Sequence, residues 1–208
     1  MSELRKIFAI DRYKGSTFCI EFEDGEKIYL NSSIVSEYSL KPEVSIPQEA
    51  LEQIVFENDC RRAKERALYL LEYRDHSFKE LYDKLERNYS EDICDTVMEK
   101  MCELGLIDDE KYAEKLARNL CEVKKYGKYR ARFEMQKKGI DRELIDELLE
   151  QYEEDTDERL VELVERKYSR YLVDRKGVAK VTNALVRLGY SYSDIREALE
   201  KFMDEVED

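Results

Sequence analysis

The side chains best suited to a chemical role are two clusters of basic residues with aromatic residues between them. The first cluster consists of Lys124, Lys125, Lys128, Arg130, Arg132, Lys137 and Lys138. The second consists of Arg166, Lys167, Arg170, Arg175, Lys176, Lys180 and Arg187. Cationic groups bind phosphates and aromatic rings stack on unpaired bases, so both clusters suit contact with a nucleic acid. They equally suit a solvated helix face paired with nearby acids, and the sequence leaves both interpretations open.

The sequence contains no recognisable catalytic or metal-binding constellation. Its single histidine, His76, adjoins a predicted helix cap, where we expect it at the surface. One imidazole without partners makes no metal site, and it is the one possible base for a Ser-His-Asp or Cys-His arrangement. No glycine-rich phosphate loop is present. We therefore expect neither an enzyme nor a bound metal or cofactor.

The cysteines do not indicate a disulfide framework. They are Cys19, Cys60, Cys94, Cys102 and Cys121. Their number is odd, and no two have the CxxC spacing of a metal or redox motif. We expect them to be reduced and half-buried, as in a cytoplasmic protein.

The composition predicts a protein of amphipathic helices. Of the 208 residues, 41% are charged, 42% are hydrophobic and only two are proline. No apolar run approaches the ~20 residues of a membrane span, and the N-terminus has no signal-peptide pattern. We therefore expect a cytoplasmic protein that does not contact a membrane. The net charge of −13 argues against tight nonspecific binding to duplex DNA.

Two stretches of the sequence read as copies of one unit. Gly127, Ala131, Met135, Gly139, Ile145 and Leu149 match Gly177, Val181, Leu185, Gly189, Ile195 and Leu199 in that order. A looser third copy begins at Ser77, where Leu81 matches Ala131. Its next linker is taken as two residues shorter, so that Ile93 matches Ile145. Self-similarity of this kind indicates a repeat array.

We therefore predict a mostly α fold with three tandem three-helix repeats in an elongated array and a small N-terminal antiparallel β-sheet. The predicted divisions are a β/α extension over 1–57 and repeats over 58–107, 108–153 and 154–208. Two or three strands are expected around the Asp24-Gly25 turn. The acidic tail from Asp204 is expected to fray.

Helix signals mark the starts of the predicted elements. A helix is expected from about residue 48, and a separate long helix from about Asp59 to Tyr73 opens the first repeat. Ser77 and Glu80 form a predicted capping box, with Phe78 facing inward.

The acidic pair Asp108-Asp109 begins the second repeat. It suits either helix capping or contact with a basic partner. The candidate structural-motif residues are Asp108, Asp109, Tyr112, Gly127, Gly139 and Gly189.

Four segments, in this order and spacing, resemble the RecX family. Arg74-Asp-His-Ser-Phe-Lys-Glu-Leu-Tyr-Asp-Lys-Leu85 resembles its opening, and Leu104-Gly-Leu-Ile-Asp-Asp-Glu-Lys-Tyr-Ala113 resembles its Gly-x-hydrophobic-Asp-Asp-x-x-Phe-Ala signature. Glu134-Met-Gln-Lys-Lys-Gly-Ile140 is similar to Glu-Leu-x-x-Lys-Gly-Ile, and Leu188-Gly-Tyr190 stands where the family often has Arg-Gly-Phe. The resemblance runs from about residue 60 to 203, and the N-terminal part resembles the β-containing extension of some members.

This resemblance implies a regulator of the RecA recombinase, mainly a negative one. Such a protein binds along the groove of the RecA–DNA filament and limits the ATPase, strand-exchange and coprotease activities of RecA. RecA and its nucleoprotein filament are then the expected partners of a monomer that needs no cofactor. Both basic clusters, apart from Arg187, supply the candidate contacts with RecA or DNA. Two other classes stay open, namely a helical repeat protein that binds single-strand or duplex nucleic acid without RecA, and an unrelated helical adaptor.

Overall fold

The structure is a computed structural model that describes residues 4–153 and 155–203. It confirms a mostly helical fold with an N-terminal antiparallel sheet, and the predicted fraying tail from Asp204 lies outside the described residues. The strands are β1 (Leu4–Lys14), β2 (Thr17–Phe22), β3 (Lys27–Asn31) and β4 (Ser45–Pro47). The helices are α1 (Ser32–Glu37), α2 (Gln48–Tyr73), α3 (Phe78–Leu85), α4 (Glu91–Glu103), α5 (Asp109–Arg118), α6 (Lys128–Lys137), α7 (Arg142–Glu150), α8 (Thr156–Lys167), α9 (Arg175–Arg187) and α10 (Tyr192–Met203).

Contacts within the chain divide it into two compact units. The first reaches to Arg74 and also includes Leu81–Leu106. The second contains Asp75–Glu80 and the chain from Ile107 onward. In addition to the helices above, the second unit has a π-helical turn at Asn119–Val123 and a 3₁₀ turn at Ser169–Tyr171.

The first unit opens with an antiparallel sheet in the strand order β3-β2-β1-β4. The predicted turn at Asp24-Gly25 joins β2 to β3, and Gly25 has the positive φ of 83° that favours glycine. The expectation of two or three strands is wrong, because β4 also pairs with β1. This strand is three residues long and ends in proline, so it lacks the alternating pattern that identifies a strand in a sequence.

The core of the sheet region lies against α1 and α2. Its buried members are Ile7, Ile20, Phe22, Leu30, Ile34, Leu40, Ile46, Leu51 and Ile54. The buried side chain of Asn58 in α2 is held in this interface by hydrogen bonds. Its Oδ1 accepts from the Asn31 amide at 2.8 Å, and its Nδ2 donates to the Tyr29 carbonyl at 3.4 Å. A polar residue therefore fixes α2 against the end of β3 without leaving a buried group unpaired.

The expected boundary between two helices near Asp59 is wrong, because α2 is one helix of 26 residues. No glycine or proline occurs between Gln48 and Tyr73, so nothing in this segment ends the helix. Its first half packs on the sheet and its second half supplies the first helix of the first repeat. The predicted division at residue 57 thus falls inside a continuous helix.

The second unit contains two separate apolar cores, one for each three-helix repeat. The core of the second repeat contains Ala113, Ala117, Leu120, Cys121, Ala131, Met135, Ile140, Ile145, Leu148 and Leu149. The core of the third repeat contains Leu160, Leu163, Val164, Leu172, Val181, Leu185, Tyr190, Ile195, Ala198 and Leu199. Of the six pairs of residues that match between the two copies, the four apolar pairs lie in these two cores. Burial in the cores accounts for their apolar character. The other two pairs are glycines.

The match of Ile93 with Ile145 is wrong by one residue. Cys94 donates its amide to the Ser90 carbonyl at the start of α4, as Ile145 does to the Asp141 carbonyl at the start of α7. Cys94 is therefore the equivalent core residue, and the linker is shorter by one residue rather than two. A small thiol side chain in a core position concealed this register, because cysteine behaves there as a small hydrophobe.

The cysteines differ in exposure, and this gives a test of burial in the first and second repeats. Cys94 and Cys121 are buried, Cys102 is exposed, and only Cys19 and Cys60 have the expected intermediate exposure. Burial raises the pKa of Cys121 to about 11, so its reactive thiolate is scarce at pH 8. We expect a thiol reagent to modify Cys102 rapidly in the native protein, and Cys94 and Cys121 only after unfolding. Peptide mass spectrometry measures the rate of modification at each cysteine. Equal native rates for Cys121 and Cys102 would contradict the described core.

Candidate functional site: helix junctions and a basic patch

The start of α6 and the turn after α9 form a close backbone junction. Gly189 has a φ of 91°, and the Gly127 amide donates to the Leu188 carbonyl at 2.8 Å. The Tyr129 amide donates to the Gly189 carbonyl at 3.2 Å. A Cβ at Gly127 would overlap the Gly189 carbonyl, and a Cβ at Gly189 would overlap the Arg130 backbone. Both glycines are therefore required where two repeats meet.

A similar junction joins the start of α3 to the turn after α6. The Ser77 hydroxyl donates to the Lys138 carbonyl and accepts from the Glu80 amide at 3.2 Å, so it caps α3 as predicted. Gly139 has a φ of 76°, and a Cβ there would overlap the side chain of Lys79. Successive repeats thus use the same parts, with a helix start placed on a glycine turn.

The acidic pair serves two different helices. Asp108 caps its own helix, α5, because its carboxylate accepts from the Lys111 amide at 3.0 Å. Asp109 accepts from the Phe78 amide at 2.7 Å and so caps the first turn of α3. Of the two interpretations of this pair, the geometry supports helix capping. The sequence could not show that the second carboxylate caps a helix 31 residues away.

Two expectations near this cap are wrong. His76 is only 4% exposed, because the segment that leads into Ser77 is held against the end of α6. Phe78 is 39% exposed rather than inward-facing. Its amide, at the first helical position, makes the contact with Asp109.

Tyr112 connects α5 to the residue that follows α6 through a shared carboxylate. The Tyr112 hydroxyl donates to the Glu80 carboxylate at 2.8 Å, and Lys138 Nζ forms an ion pair with the same carboxylate. Glu80 therefore binds α5 and the end of α6, which strengthens the junction.

Substitutions at Asp109 should separate its charge from its capping bond. Burial is the main cause that raises the pKa of this carboxyl, and Asp108 adds to it. Because the pKa is higher in the folded state, the protonated carboxyl stabilises the folded state relative to the unfolded one. This stabilisation is lost as the pH rises above about 4, where the carboxyl ionises. We expect Asp109→Asn, which keeps an acceptor, to be at least as stable as wild type at pH 7.

The matched change Asp109→Ala removes the acceptor and should cost about 1 kcal/mol. Urea unfolding at pH 7 measures both effects. If Asn and Ala cost the same, the hydrogen bond to Phe78 does not contribute.

The first basic cluster is largely used inside the protein. Carboxylates pair with five members, as Lys125–Glu162, Lys128–Glu153, Arg130–Glu134, Arg132–Asp146 and Lys138–Glu80. The other two members lie over aromatic rings, Lys124 over Tyr126 and Lys137 over Phe133, and Arg130 also lies over Tyr126. Arg130 also donates to the Arg187 carbonyl at 2.9 Å. This geometry favours the interpretation of a self-paired helix face for the first cluster.

The second basic cluster is much less engaged. Arg166 pairs with Glu162 at 3.2 Å, and the Arg170 guanidinium lies 4.8 Å from the centroid of the Tyr171 ring. Four exposed cations have no carboxylate partner anywhere in residues 4–153 and 155–203: Lys167, Arg175, Lys176 and Lys180. Their charge is therefore available to a partner molecule.

An extra turn at the start of α9 carries two of these cations, Arg175 and Lys176. Ala131 is the fourth residue of α6, whereas its equivalent Val181 is the seventh residue of α9. The three added residues begin with Arg175 and Lys176 and end at Gly177. A Cβ at Gly177 would overlap the carbonyl of Tyr171, so this glycine packs on its own repeat instead of on another. Gly177 thus matches Gly127 in the sequence repeat, but the two glycines pack against different partners, Tyr171 for Gly177 and Gly189 for Gly127.

A surface cavity of about 400 Å³ lies beside the added turn. Its wall contains the cations Arg170, Lys176 and Lys180 and one acid, Asp174. The Asp174 carboxylate is occupied as the cap of α9, where it accepts from the Gly177 amide at 2.6 Å. We name these cavity residues, together with Tyr171, Val173 and Arg175, the basic patch.

Neither a membrane span nor a metal cluster occurs in the described ranges. None of the helices between residues 4 and 203 is both long and apolar enough to cross a bilayer. Among the same residues, no three or more histidine, cysteine or carboxylate side chains are grouped as metal ligands.

Fold and site together define a tandem three-helix-repeat protein with a β-sheet extension and a basic surface patch. Family models of the three RecX three-helix domains match residues 63–101, 108–149 and 153–199. The chain belongs to the RecX family.

Relatives and solved structures agree with this assignment. The regulatory protein RecX of Chlorobium phaeobacteroides (strain BS1) is 35% identical over 147 residues, which are 70% of this chain and 96% of the relative. The protein of the same name from Clostridioides difficile (strain 630) is 28% identical over 188 residues, 89% of each chain. A crystal structure of a regulatory protein RecX superposes with a TM-score of 0.67 at 22% identity, covering 94% of this chain and 99% of that one. RecX from Lactobacillus salivarius gives a TM-score of 0.63 at 29% identity, covering 70% and 97%.

Proposed function

We propose that this protein regulates the RecA recombinase, mainly as a negative modulator. It binds along the groove of the RecA–DNA filament and limits ATP hydrolysis, strand exchange and coprotease activity. The observation that carries the proposal is the ordered match of all three RecX domains in one chain, together with relatives named as regulatory proteins.

The mode of action is binding without bond-making. A protein that occupies the filament groove excludes a second duplex and other substrates from it, so inhibition needs no catalytic residue. We propose that the protein acts in the cytoplasm as a monomer, without a cofactor, and that each repeat contributes a similar surface to successive RecA protomers. The glycine junctions support this arrangement because they fix the second and third repeats against each other through backbone contacts.

Within this proposal the basic patch is the main contact surface among the candidate residues. The patch cations Arg175, Lys176 and Lys180 lack carboxylate partners within the described chain, whereas most of the second-repeat cluster is paired. A carboxylate beside a lysine offsets the positive potential that the lysine presents to a phosphate, so paired lysines attract a polyanion less strongly. The unpaired cations have no such offset.

A second candidate function is direct nucleic-acid binding without RecA, and the exposed cations of the basic patch favour it over a neutral adaptor role. The two functions differ in their need for the recombinase. Titrating the protein into RecA on single-stranded DNA, with ATP hydrolysis and strand exchange as readouts, tests the leading proposal. Both rates should fall with a saturable dose. Unchanged rates at saturating protein would reject it.

A further inference from the structure

We propose that the basic patch binds a segment of single-stranded nucleic acid, with phosphates on its cations and a base stacked on Tyr171. The inference deepens the proposed function and rests on it, since it names the DNA strand rather than the recombinase as the molecule that this patch contacts.

The cations of the cavity wall are arranged for successive phosphates. Lys176 and Lys180 are four residues apart on α9, so they lie on one helix face with their Cβ atoms about 6 Å apart. Arg170 lines the same cavity from the preceding 3₁₀ turn. Three cations thus face one carboxylate, Asp174, whose Oδ1 already accepts from a backbone amide. The excess positive charge favours a polyanion.

The aromatic side of the patch favours an unpaired strand over a duplex. Tyr171 is 47% exposed, and the Arg170 guanidinium lies over its ring. Val173 beside it is 74% exposed, which adds an apolar surface for the edge of a base. A duplex conceals the faces of its bases, whereas an unpaired strand leaves them free to stack on the ring. A single strand uses both the cations and the ring.

Another tyrosine-containing cavity of the same unit lacks this excess of positive charge. That cavity, also of about 400 Å³, holds Lys128 and Tyr129 but is lined by Glu153, Asp157 and Asp194. Its acids outnumber its lysine, so it repels phosphates. Among these two tyrosine-containing cavities, only the one at the start of α9 attracts a nucleic acid.

The charge count gives a quantitative expectation. Neutralising about three phosphates of a single strand predicts that the logarithm of the association constant falls with the logarithm of salt concentration with a slope of about −2. The overall charge of −13 keeps the affinity modest, so binding should be clearest at low salt.

The test is fluorescence anisotropy of a labelled oligothymidylate with the full-length protein, without RecA, over a series of salt concentrations. Lys176→Gln with Lys180→Gln should weaken binding at least about tenfold at low salt and bring the slope to about −0.7. Tyr171→Ala should weaken binding about 5- to 100-fold with the slope unchanged, because it removes stacking and no charge. The matched control, Lys111→Gln with Lys115→Gln, removes two exposed lysines that pair with Asp108 and Asp75, and it should bind like wild type.

Several outcomes would overturn the inference. They are absence of wild-type binding at low salt, unchanged binding by the Lys176/Lys180 variant, or an equal loss in the control. Circular dichroism melting curves for every variant exclude unfolding as the cause of a loss. RecA ATPase assays on the same proteins separate the two proposals. Inhibition of RecA without oligonucleotide binding rejects the strand contact alone, and oligonucleotide binding without any effect on RecA rejects the proposed function alone.

Discussion

Gly189→Ala is expected to lower the free energy of unfolding by about 3 kcal/mol or more. An alanine at a φ of 91° costs roughly 1–2 kcal/mol in backbone strain. The new Cβ would also overlap the Arg130 backbone, which belongs to the start of α6 and has no flexible atom to move. Relief of this overlap therefore requires the second and third repeats to move apart at their junction, which adds a second cost.

Two matched variants divide this cost into its parts. Gly105 has a φ of 65° with open space where a Cβ would lie, so Gly105→Ala measures strain alone. Gly127 has a negative φ of −74°, so Gly127→Ala measures the overlap with the Gly189 carbonyl alone. Urea unfolding followed by circular dichroism compares the three. If Gly189→Ala costs no more than Gly105→Ala, the junction is not the close contact described above.

Charge reversal in the basic patch is expected to raise the concentration needed for half-inhibition of RecA ATPase at least about tenfold. One charge-assisted hydrogen bond contributes about 1.5–3 kcal/mol, and each 1.4 kcal/mol is a factor of ten. The variant is Lys176→Glu with Lys180→Glu, two exposed residues whose replacement breaks no ion pair among the described residues. Stability should therefore remain near that of wild type while inhibition of RecA is weakened.

The control for this experiment carries the same change in charge. Lys111→Glu with Lys115→Glu alters two exposed lysines of α5 outside the basic patch. We expect the control to inhibit RecA with less than a threefold change. Equal losses in both variants would indicate that net charge, rather than the patch, governs the interaction.

The parts of the fold that the sequence predicted are those set by local chemistry. Ser77 caps α3 as expected and Asp141 caps α7 in the same way, because a short polar side chain can reach the free amides of the next turn. Gly139 and Gly189 end helices with positive φ, which few other residues adopt. The recurring apolar positions form the second and third cores for the reason that made them recognisable, namely a spacing that places them on one helix face.

The parts that the sequence did not predict depend on contacts between distant segments. Nothing local shows that Asp109 accepts from Phe78, or that Lys128 meets Glu153. The two basic clusters look alike in sequence. In the folded protein, however, packing places carboxylates beside most cations of the first cluster and beside few cations of the second. Gly177 shows the same limit, since its match to Gly127 hides a helix that begins one turn earlier.

Hydrogen exchange of the protein, alone and with RecA filaments on single-stranded DNA, tests the central claim most directly. The account predicts slower exchange of the amides in residues 168–181 when filament is added, and little change in the sheet of residues 4–31. It also predicts that Lys176→Glu with Lys180→Glu abolishes that protection. Protection confined to the sheet region, or no protection at saturating filament, would contradict the account.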